Sequence, residues 1–440
     1  MEGLKRQRQK FEQEFGLPPL PDKLYDFRYF LIYVWRKLGL PDPTKRQLEL
    51  AHYLQHGPRR KVMEAFRGVG KSWITSAYVV WRLLINPNLK FLVVSASKDR
   101  ANNFTTFTRR LISEIDILQC LRPTADQRDS MISFDVGPAR PDHSPSVKSV
   151  GIFGQLTGTR ADEIIADDVE TPNNSLTQVM RERVSEAVKE FDSILKPDGR
   201  ITYLGTPQCI QSLYNLLPER GYIVRIWPAR YPDPATVEVV YGDKLSPTVL
   251  QEIAQGTARI GSSTDPTRFS DDDLLERELS YGRAGFNLQF MLDTSLSDAN
   301  RHPLRLRDLI VMDADLRFKA PENVIWGASP ELMYQELPCV GLNGDRYYRP
   351  QSIMPTWLEY TSSVMAIDPS GRGRDETSYA VANILNGKIF VPDAGGLQGG
   401  YSEETLIALC ETAKANKVRK LIIESNFGGN RCRSKSLQIR

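Results

Sequence analysis

Apolar residues along the 440-residue chain follow two different rhythms. Short, largely apolar runs, Val62 to Phe66, Lys90 to Ser97, Glu163 to Asp167 and Gly199 to Gly205, read as strands buried on both faces of a parallel sheet. Between them the period lengthens to that of helices, over Trp73–Leu84, Asp99–Leu118 and Leu176–Leu195. Strand and helix in alternation predict an α/β fold. Met131–Val136 and Val147–Phe153 are shorter strands separated by the Pro-rich Gly137 to Pro145 loop, and Tyr222–Trp227 closes this region.

The flanks differ from this centre. Glu2 to Glu14 is charged and helix-prone and is broken by Leu17-Pro-Pro-Leu-Pro21, so it reads as an arm. Phe27 to Leu40 carries Arg28, Arg36 and Lys37 and is too short to span a bilayer, which makes it a docking helix. Beyond Pro228–Pro234, Ser270-Asp-Asp-Asp273 is a capping box opening a helix that runs past two glycines to Leu292. From Val364 the order is strand (Met365–Asp368), strand (Tyr379–Leu385), strand (Lys388–Pro392), helix (Glu403–Asn416) and strand (Lys420–Glu424). The expected organisation is an N-terminal helical arm at 1–42, an α/β core at 43–230, a helical lid at 231–300, a Pro- and Gly-rich connector at 301–360 and a second domain at 361–440.

Composition narrows the picture only a little. Lys and Arg number 57 against 54 acids, a net charge of +3, so any basic surface must be local. The five cysteines are scattered with no C-x-x-C pair, as in a reduced, cytoplasmic protein, and the N-terminus has no signal-peptide pattern. His52 and His56 stand four apart on a helix without the Glu of a zincin site, which argues against a metal there.

Chemistry concentrates after the first strand. Ala65-Phe66-Arg67-Gly68-Val69-Gly70-Lys71-Ser72 has P-loop spacing in the required strand–loop–helix setting. Gly68 and Gly70 let backbone N–H groups turn onto a phosphate, Lys71 supplies charge to the β and γ oxygens, Ser72 offers a hydroxyl to Mg²⁺, and Arg67 adds a cation. ATP and Mg²⁺ are the expected ligands of this core, which reads as a P-loop NTPase of the RecA/ASCE type. About a hundred residues later, Ile164 to Glu170 has the Walker B form of an apolar strand ending in acids. Asp167 is the candidate metal acid. A second carboxylate beyond the strand tip is needed to activate water, and the sequence does not choose between Asp168, next to the metal acid, and Glu170, with longer reach. Thr206, in Gly205-Thr-Pro207, stands at a strand's carboxyl end, where it either senses the γ-phosphate or only forms a turn. Gln47, one helix upstream of the P-loop strand, is a candidate reader of the adenine edge, with a helix-surface glutamine as the competing reading. Arg160, on the loop leading into the Walker B strand, either reaches a neighbouring subunit's γ-phosphate or pairs with Asp162 or another local acid.

In the second domain, three strands, a helix and a strand with acids at Asp368 and Glu424 form the opening of an RNase H-like nuclease. Two carboxylates at neighbouring strand ends suit Mg²⁺ or Mn²⁺ and in-line attack on a phosphodiester.

Ala65 to Ser72, Ile164 to Glu170, Gly205-Thr-Pro207, and Asp368 with Glu424 resemble, in order and spacing, the large terminase subunit of tailed bacteriophages. Pro141 to Ile152 (PDHSPSVKSVGI), Gly154 to Asp162 (GQLTGTRAD) and Ile165 to Glu170 (IADDVE) look most like the short-tailed lytic group, and the likeness covers almost the whole chain. The resemblance implies an ATP-driven motor in the host bacterial cytoplasm that docks on the portal vertex of a procapsid, threads double-stranded DNA inward and cuts the concatemer. It implies a small terminase subunit and the portal protein as partners, a homo-oligomeric ring, and no membrane. The family also continues to a third metal-binding acid. Here Asn426 to Asn430 is followed by a tail ending at Arg440 with four cations and no acid, expected to be a frameshifted or truncated product, a naturally short tail being the weaker alternative. The RNase H-like domain is therefore expected to be incomplete and its nuclease impaired, with Asp375, in a Gly-rich turn, as a possible substitute acid. Two other classes compete: another P-loop enzyme such as a helicase, which should show a second RecA-like module, and a non-catalytic truncated fragment.

Overall fold

Parallel strands buried on both faces need helices above and below them, and the first part of the chain is built that way. The computed structural model describes residues 2–156, 158–175, 177–209, 211–294, 306–327, 329–337, 346–370, 376–400 and 402–424, in two compact units, Met1–Arg301 and His302–Arg440.

In the first unit one seven-stranded sheet contains β1 (Arg60–Ala65), β2 (Phe91–Ser95), β3 (Ser133–Phe134), β4 (Val147–Gly151), β5 (Ala161–Asp167), β6 (Leu195–Gly205) and β7 (Ile223–Trp227), in the order β3-β4-β2-β5-β6-β1-β7. Every neighbouring pair is parallel except β3 with β4. The pairings Asp167↔Leu204 and Glu64↔Gly205 bring the carboxyl ends of β5, β6 and β1 side by side. Ligands of open α/β sheets bind at such ends.

Helix α1 (Glu2–Phe15) is the arm, followed by α2 (Phe27–Lys37) and α3 (Lys45–His56). Helix α4 (Lys71–Ile85) carries the chain away from the P-loop, and its apolar residues lie on all sides, from Ile74 to Ile85, because it is enclosed between the sheet and α2 and α3. The arm is pinned to the far end of α4 by buried Arg8, which donates to the Leu84 carbonyl at 2.6 Å, the Pro18 carbonyl at 2.9 Å and Glu12 at 3.1 Å.

Two predicted helices end early. The one expected from Asp99 to Leu118 is α5 (Lys98–Glu114) and then a 3₁₀ turn, Asp116–Leu121. The one expected from Leu176 to Leu195 splits into α6 (Gln178–Ala187), capped by Thr177, and the short Glu190–Ile194 turn, while Leu195 already belongs to β6 through its pairing with Ala161. That pairing partner lies more than thirty residues away, beyond the reach of helical periodicity.

The segment expected as a lid contains α7 (Asp271–Phe286), whose Ser270 and Asp273 form the expected capping box and which kinks at Gly282, where φ is 68°. Buried Arg46 of α3 ties this segment to α3 by donating to the Thr264 carbonyl at 3.0 Å and pairing with Glu252, while its pair with Glu49 lies within α3, and Thr44 donates to Asp265 at 2.6 Å.

In the second unit the stretch expected as a connector is not featureless. It contains β8 (Lys319–Pro321), β9 (Val324–Ile325), β10 (Ser352–Ile353) and β11 (Trp357–Glu359), paired antiparallel as β8 with β11 and β9 with β10. Ala320 and Val324 share a core with Leu385 and Phe390, so this stretch packs with the strands that follow it. Those are β12 (Ser362–Asp368), β13 (Thr377–Leu385), β14 (Lys388–Leu397) and β15 (Lys420–Ile423), in the order β14-β13-β12-β15 with only β15 parallel to its neighbour. Helix α8 (Glu403–Ala415) covers one face, Leu409 packing on Met365, Ile367 and Val381.

Candidate functional site

At the end of β1 the chain turns through Ala65 and Phe66, whose N–H donates to the Trp227 carbonyl at 3.1 Å. Gly68 and Gly70 have φ of +91° and +95°, where a β-carbon is strained, and Gly70 is the N-cap of α4. Arg67 donates its N–H to the Gln289 carbonyl at 3.0 Å, and Val69 is fully buried as the loop's anchor. The unpaired N–H groups of the first turn of α4 therefore face the loop, an arrangement suited to an anion. Lys71 donates to the Ala65 carbonyl at 2.5 Å, and burial lowers its pKa against the opposing charges of Asp168 and Asp167.

Asp167 at the tip of β5 accepts from Ser72 Oγ at 2.9 Å. Burial, and then the Asp168 charge, raise its pKa, so this carboxylate is short of positive charge. A hydroxyl and a carboxylate oxygen side by side are hard donors of the kind Mg²⁺ takes, and the residues fit that ion. Asp168 follows with φ of 46°, in the left-handed region that Asp adopts more readily than most residues, lines the cavity and lies 3.9 Å from Arg100. Glu170 lines the same cavity but is tied to the backbone. It is buried, and its two oxygens accept the backbone N–H groups of Gln208 at 3.1 Å and Leu213 at 2.7 Å, pinning the loop after β6. Burial raises its pKa against these bonds. Thr206 is buried at the tip of β6 and lines the same cavity, about 370 Å³ in volume, with Gly70, Lys71 and Asp168.

Gln47 lies beside this cavity with its amide engaged at both ends. Its Oε1 accepts from Thr44 N at 3.0 Å, completing the cap of α3, and its Nε2 donates to the Val69 carbonyl at 2.8 Å. Gln47 itself lines a mostly apolar slot of about 190 Å³, with Trp35, Pro41, Gly70, Trp73 and Arg268.

Arg160 is not brought to this cavity. It precedes β5 while Asp167 ends it, a separation on the order of 20 Å along an extended strand. Its guanidinium donates to the Ser193 carbonyl, whereas Asp162, the partner considered from sequence, pairs with Lys196 at 3.1 Å.

In the second unit the pairing Ile367↔Ile423 sets Asp368 beside Glu424, whose N–H donates to the Ile367 carbonyl at 3.0 Å. Partial burial and the Glu424 carboxylate raise the pKa of Asp368, as two acids sharing one site do. Asp375 and the tail from 425 onward lie outside the described residues. Among the described residues no group of three or more His, Cys, Asp or Glu is arranged to hold a metal.

The sequence reading missed Arg100, Trp73, Arg268 and Gln289 as cavity residues. Arg100 stands just past the carboxyl end of β2, and that position is a usable signal. Arg268 and Gln289 come some two hundred residues after the P-loop, and nothing local marks them. Among the described residues no helix is long and apolar enough to cross a membrane.

A family model described as the ribonuclease H-like domain of the bacteriophage T7 terminase matches residues 367–438. The large terminase subunit of Enterobacteria phage T3 is 50% identical over 408 residues, covering 92% of this chain and 70% of that protein. Among solved structures, the large terminase of bacteriophage HK97 is similar with a TM-score of 0.39 at 12% identity, over 94% of this chain and 77% of that one. The large terminase of a thermophilic bacteriophage, solved in complex with ADP, gives 0.34 at 10% identity, over 90% of this chain and 79% of that one.

Proposed function

Because the chain belongs to the large terminase family, we propose that it is the ATP-hydrolysing subunit of a viral DNA-packaging motor, with residues 43–230 as motor core, 231–300 as lid and a metal-dependent endonuclease in the second unit. The observation that carries this reading is the meeting of Lys71, Ser72 and Asp168 around one cavity, with Asp167 at the tip of β5 bonded to Ser72 beside it. A helicase carries a second RecA-like sheet, and the second unit has instead a four-stranded mixed sheet among its described residues. ATP hydrolysis by the purified chain, stimulated by double-stranded DNA, tests the proposal; absence of hydrolysis with and without DNA overturns it.

In this reading the P-loop N–H groups and Lys71 bind the β and γ phosphates. Ser72 and Asp167 would hold Mg²⁺, which supplies charge neutralisation to the phosphates when bound. Asp168, directed at the cavity, accepts the proton of the attacking water, while Glu170, tied to two backbone N–H groups, holds the loop that carries Thr206 near the γ-phosphate. Gln47 shapes the P-loop through Val69, and the neighbouring slot takes the adenine. Asp368 and Glu424 would hold Mg²⁺ or Mn²⁺, which activates water for phosphodiester cleavage when bound. Partners of the motor are double-stranded DNA, a small terminase subunit, the portal protein and further copies in a ring, and its place is the host bacterial cytoplasm and, transiently, the procapsid portal.

Two measurements check the parts furthest from the cavity. Arg160 is too far along β5 to serve its own site, so any action on a γ-phosphate would be on a neighbour's. Mixing Arg160→Ala with Lys71→Ala chains should restore hydrolysis that neither has alone, on the scale of the roughly 10³- to 10⁵-fold that arginine fingers contribute; no restoration at any ratio counts against action in trans. For the nuclease, Mn²⁺ binding measured in an Asp167→Asn background, which silences the ATPase site, should weaken at least about tenfold on adding Asp368→Asn, the loss of a charged ligand from a two-acid site. Unchanged Mn²⁺ affinity removes Asp368 from the metal site.

A further inference from the structure

The lid closes on the P-loop through a short run of contacts. Arg268 Nε donates to the Gly68 carbonyl at 3.0 Å. The Phe269 ring lies edge-on to Phe66 at 6.0 Å, and a β-carbon on Gly68 would come within 2.7 Å of it. The Arg277 guanidinium also packs on the Phe269 ring, at 4.3 Å. Of these lid residues, Arg268 alone lines both the phosphate cavity and the apolar slot, which meet at Gly70 and Trp73. Its Nε is occupied by Gly68 and its guanidinium carbon lies 6.0 Å from the Phe269 ring centre, while its terminal nitrogens make no hydrogen bond or ion pair among the described residues, although the side chain is exposed beside a loop shaped for phosphate. A guanidinium with one nitrogen anchored and the others free is pre-oriented for a phosphate oxygen.

We propose that Arg268 is a nucleotide-binding residue that grips the phosphate chain from the lid, so that a bound nucleotide fastens the lid to the P-loop. This rests on the ATPase reading above and adds to it a residue in cis and a route from nucleotide to lid. With nucleotide present, the lid gains a contact through the phosphates beside those at Gly68, Phe269 and Gln289; without it, that contact is lost and the protein contacts remain.

The test uses the full chain with Arg268→Ala, Arg268→Gln and Arg268→Lys. Affinity for Mg-ADP is read by competition with a fluorescent ADP analogue, and exchange of the backbone amides of α7 by hydrogen–deuterium exchange. Gln keeps a donor for Gly68 without charge, and Lys keeps charge, so the two separate a structural role from a phosphate contact. The expected result is ADP binding weakened roughly tenfold or more in Ala and Gln and about threefold or less in Lys. In wild type, ADP should slow exchange in α7; in Arg268→Gln at saturating ADP that slowing should vanish while amides of α4 remain protected. Wild-type affinity in the Ala variant, rescue by Gln but not Lys, or equal slowing of α7 in Arg268→Gln overturns the inference. If the wild-type chain itself binds no ADP, it is the ATPase reading that fails.

Discussion

Lys71→Ala should abolish ATP hydrolysis and leave the chain folded. The backbone of the loop is set by the left-handed Gly68 and Gly70, by the Phe66 and Arg67 N–H bonds to Trp227 and Gln289, and by the buried Val69, none of which involves the lysine side chain. Position 71 is the first residue of α4, where alanine is at least as favourable as lysine. The variant loses one internal bond, to the Ala65 carbonyl, so the melting temperature should move by no more than about 4 °C. Turnover is another matter. Removing a single preorganised donor to a developing charge costs roughly 10² to 10³ in rate, and a full positive charge on the β and γ phosphates should cost no less. Steady-state hydrolysis with a parallel melting curve checks both halves. Near-normal turnover in a folded variant would remove the P-loop from the chemistry.

The second large effect separates two acids that the sequence left equivalent. Asp168→Asn should retain nucleotide binding and lose roughly 10² to 10⁴ in turnover, the range of a general base, because among the described residues its carboxylate accepts no backbone N–H, whereas Glu170, which lines the same cavity, has both oxygens so engaged. Glu170→Gln should instead lose stability. Both carboxylate oxygens accept backbone N–H groups, and an amide offers one oxygen and one NH₂, so one buried N–H would meet a donor, at a cost of about 1 to 3 kcal/mol. The melting temperature should fall more in Glu170→Gln than in Asp168→Asn, and turnover less. If Glu170→Gln melts like wild type, binds nucleotide and is inactive while Asp168→Asn turns over, the roles are reversed.

How much of this was legible follows from how local each feature is. The P-loop and the Walker B strand are written in consecutive residues, where steric need for glycine and the two-sided burial of a strand leave a direct mark. The second-unit strands and α8 were legible for the same reason. The division of labour between Asp168 and Glu170 was not, because it depends on backbone groups at 208 and 213 that no spacing rule connects to 170. The predicted helix through Leu195 gave way to β6 because a sheet partner at Ala161 outweighs local periodicity. The short strands at 319–359 were read as a connector because two- and three-residue strands show no period, and only a shared core with Leu385 and Phe390 reveals them.

One glutamine ties two of these levels together. Gln47 closes the cap of α3 with one end of its amide and holds the Val69 carbonyl with the other. The position is therefore subject to two unrelated pressures, the integrity of a helix start and the shape of a phosphate loop. Persistence of glutamine at this site among relatives would be demanded by folding alone and could not be credited to adenine. Conversely, a lineage that replaced it would have to rebuild the start of α3 and the P-loop together, so the residue acts as a ratchet on how far this part of the molecule can drift.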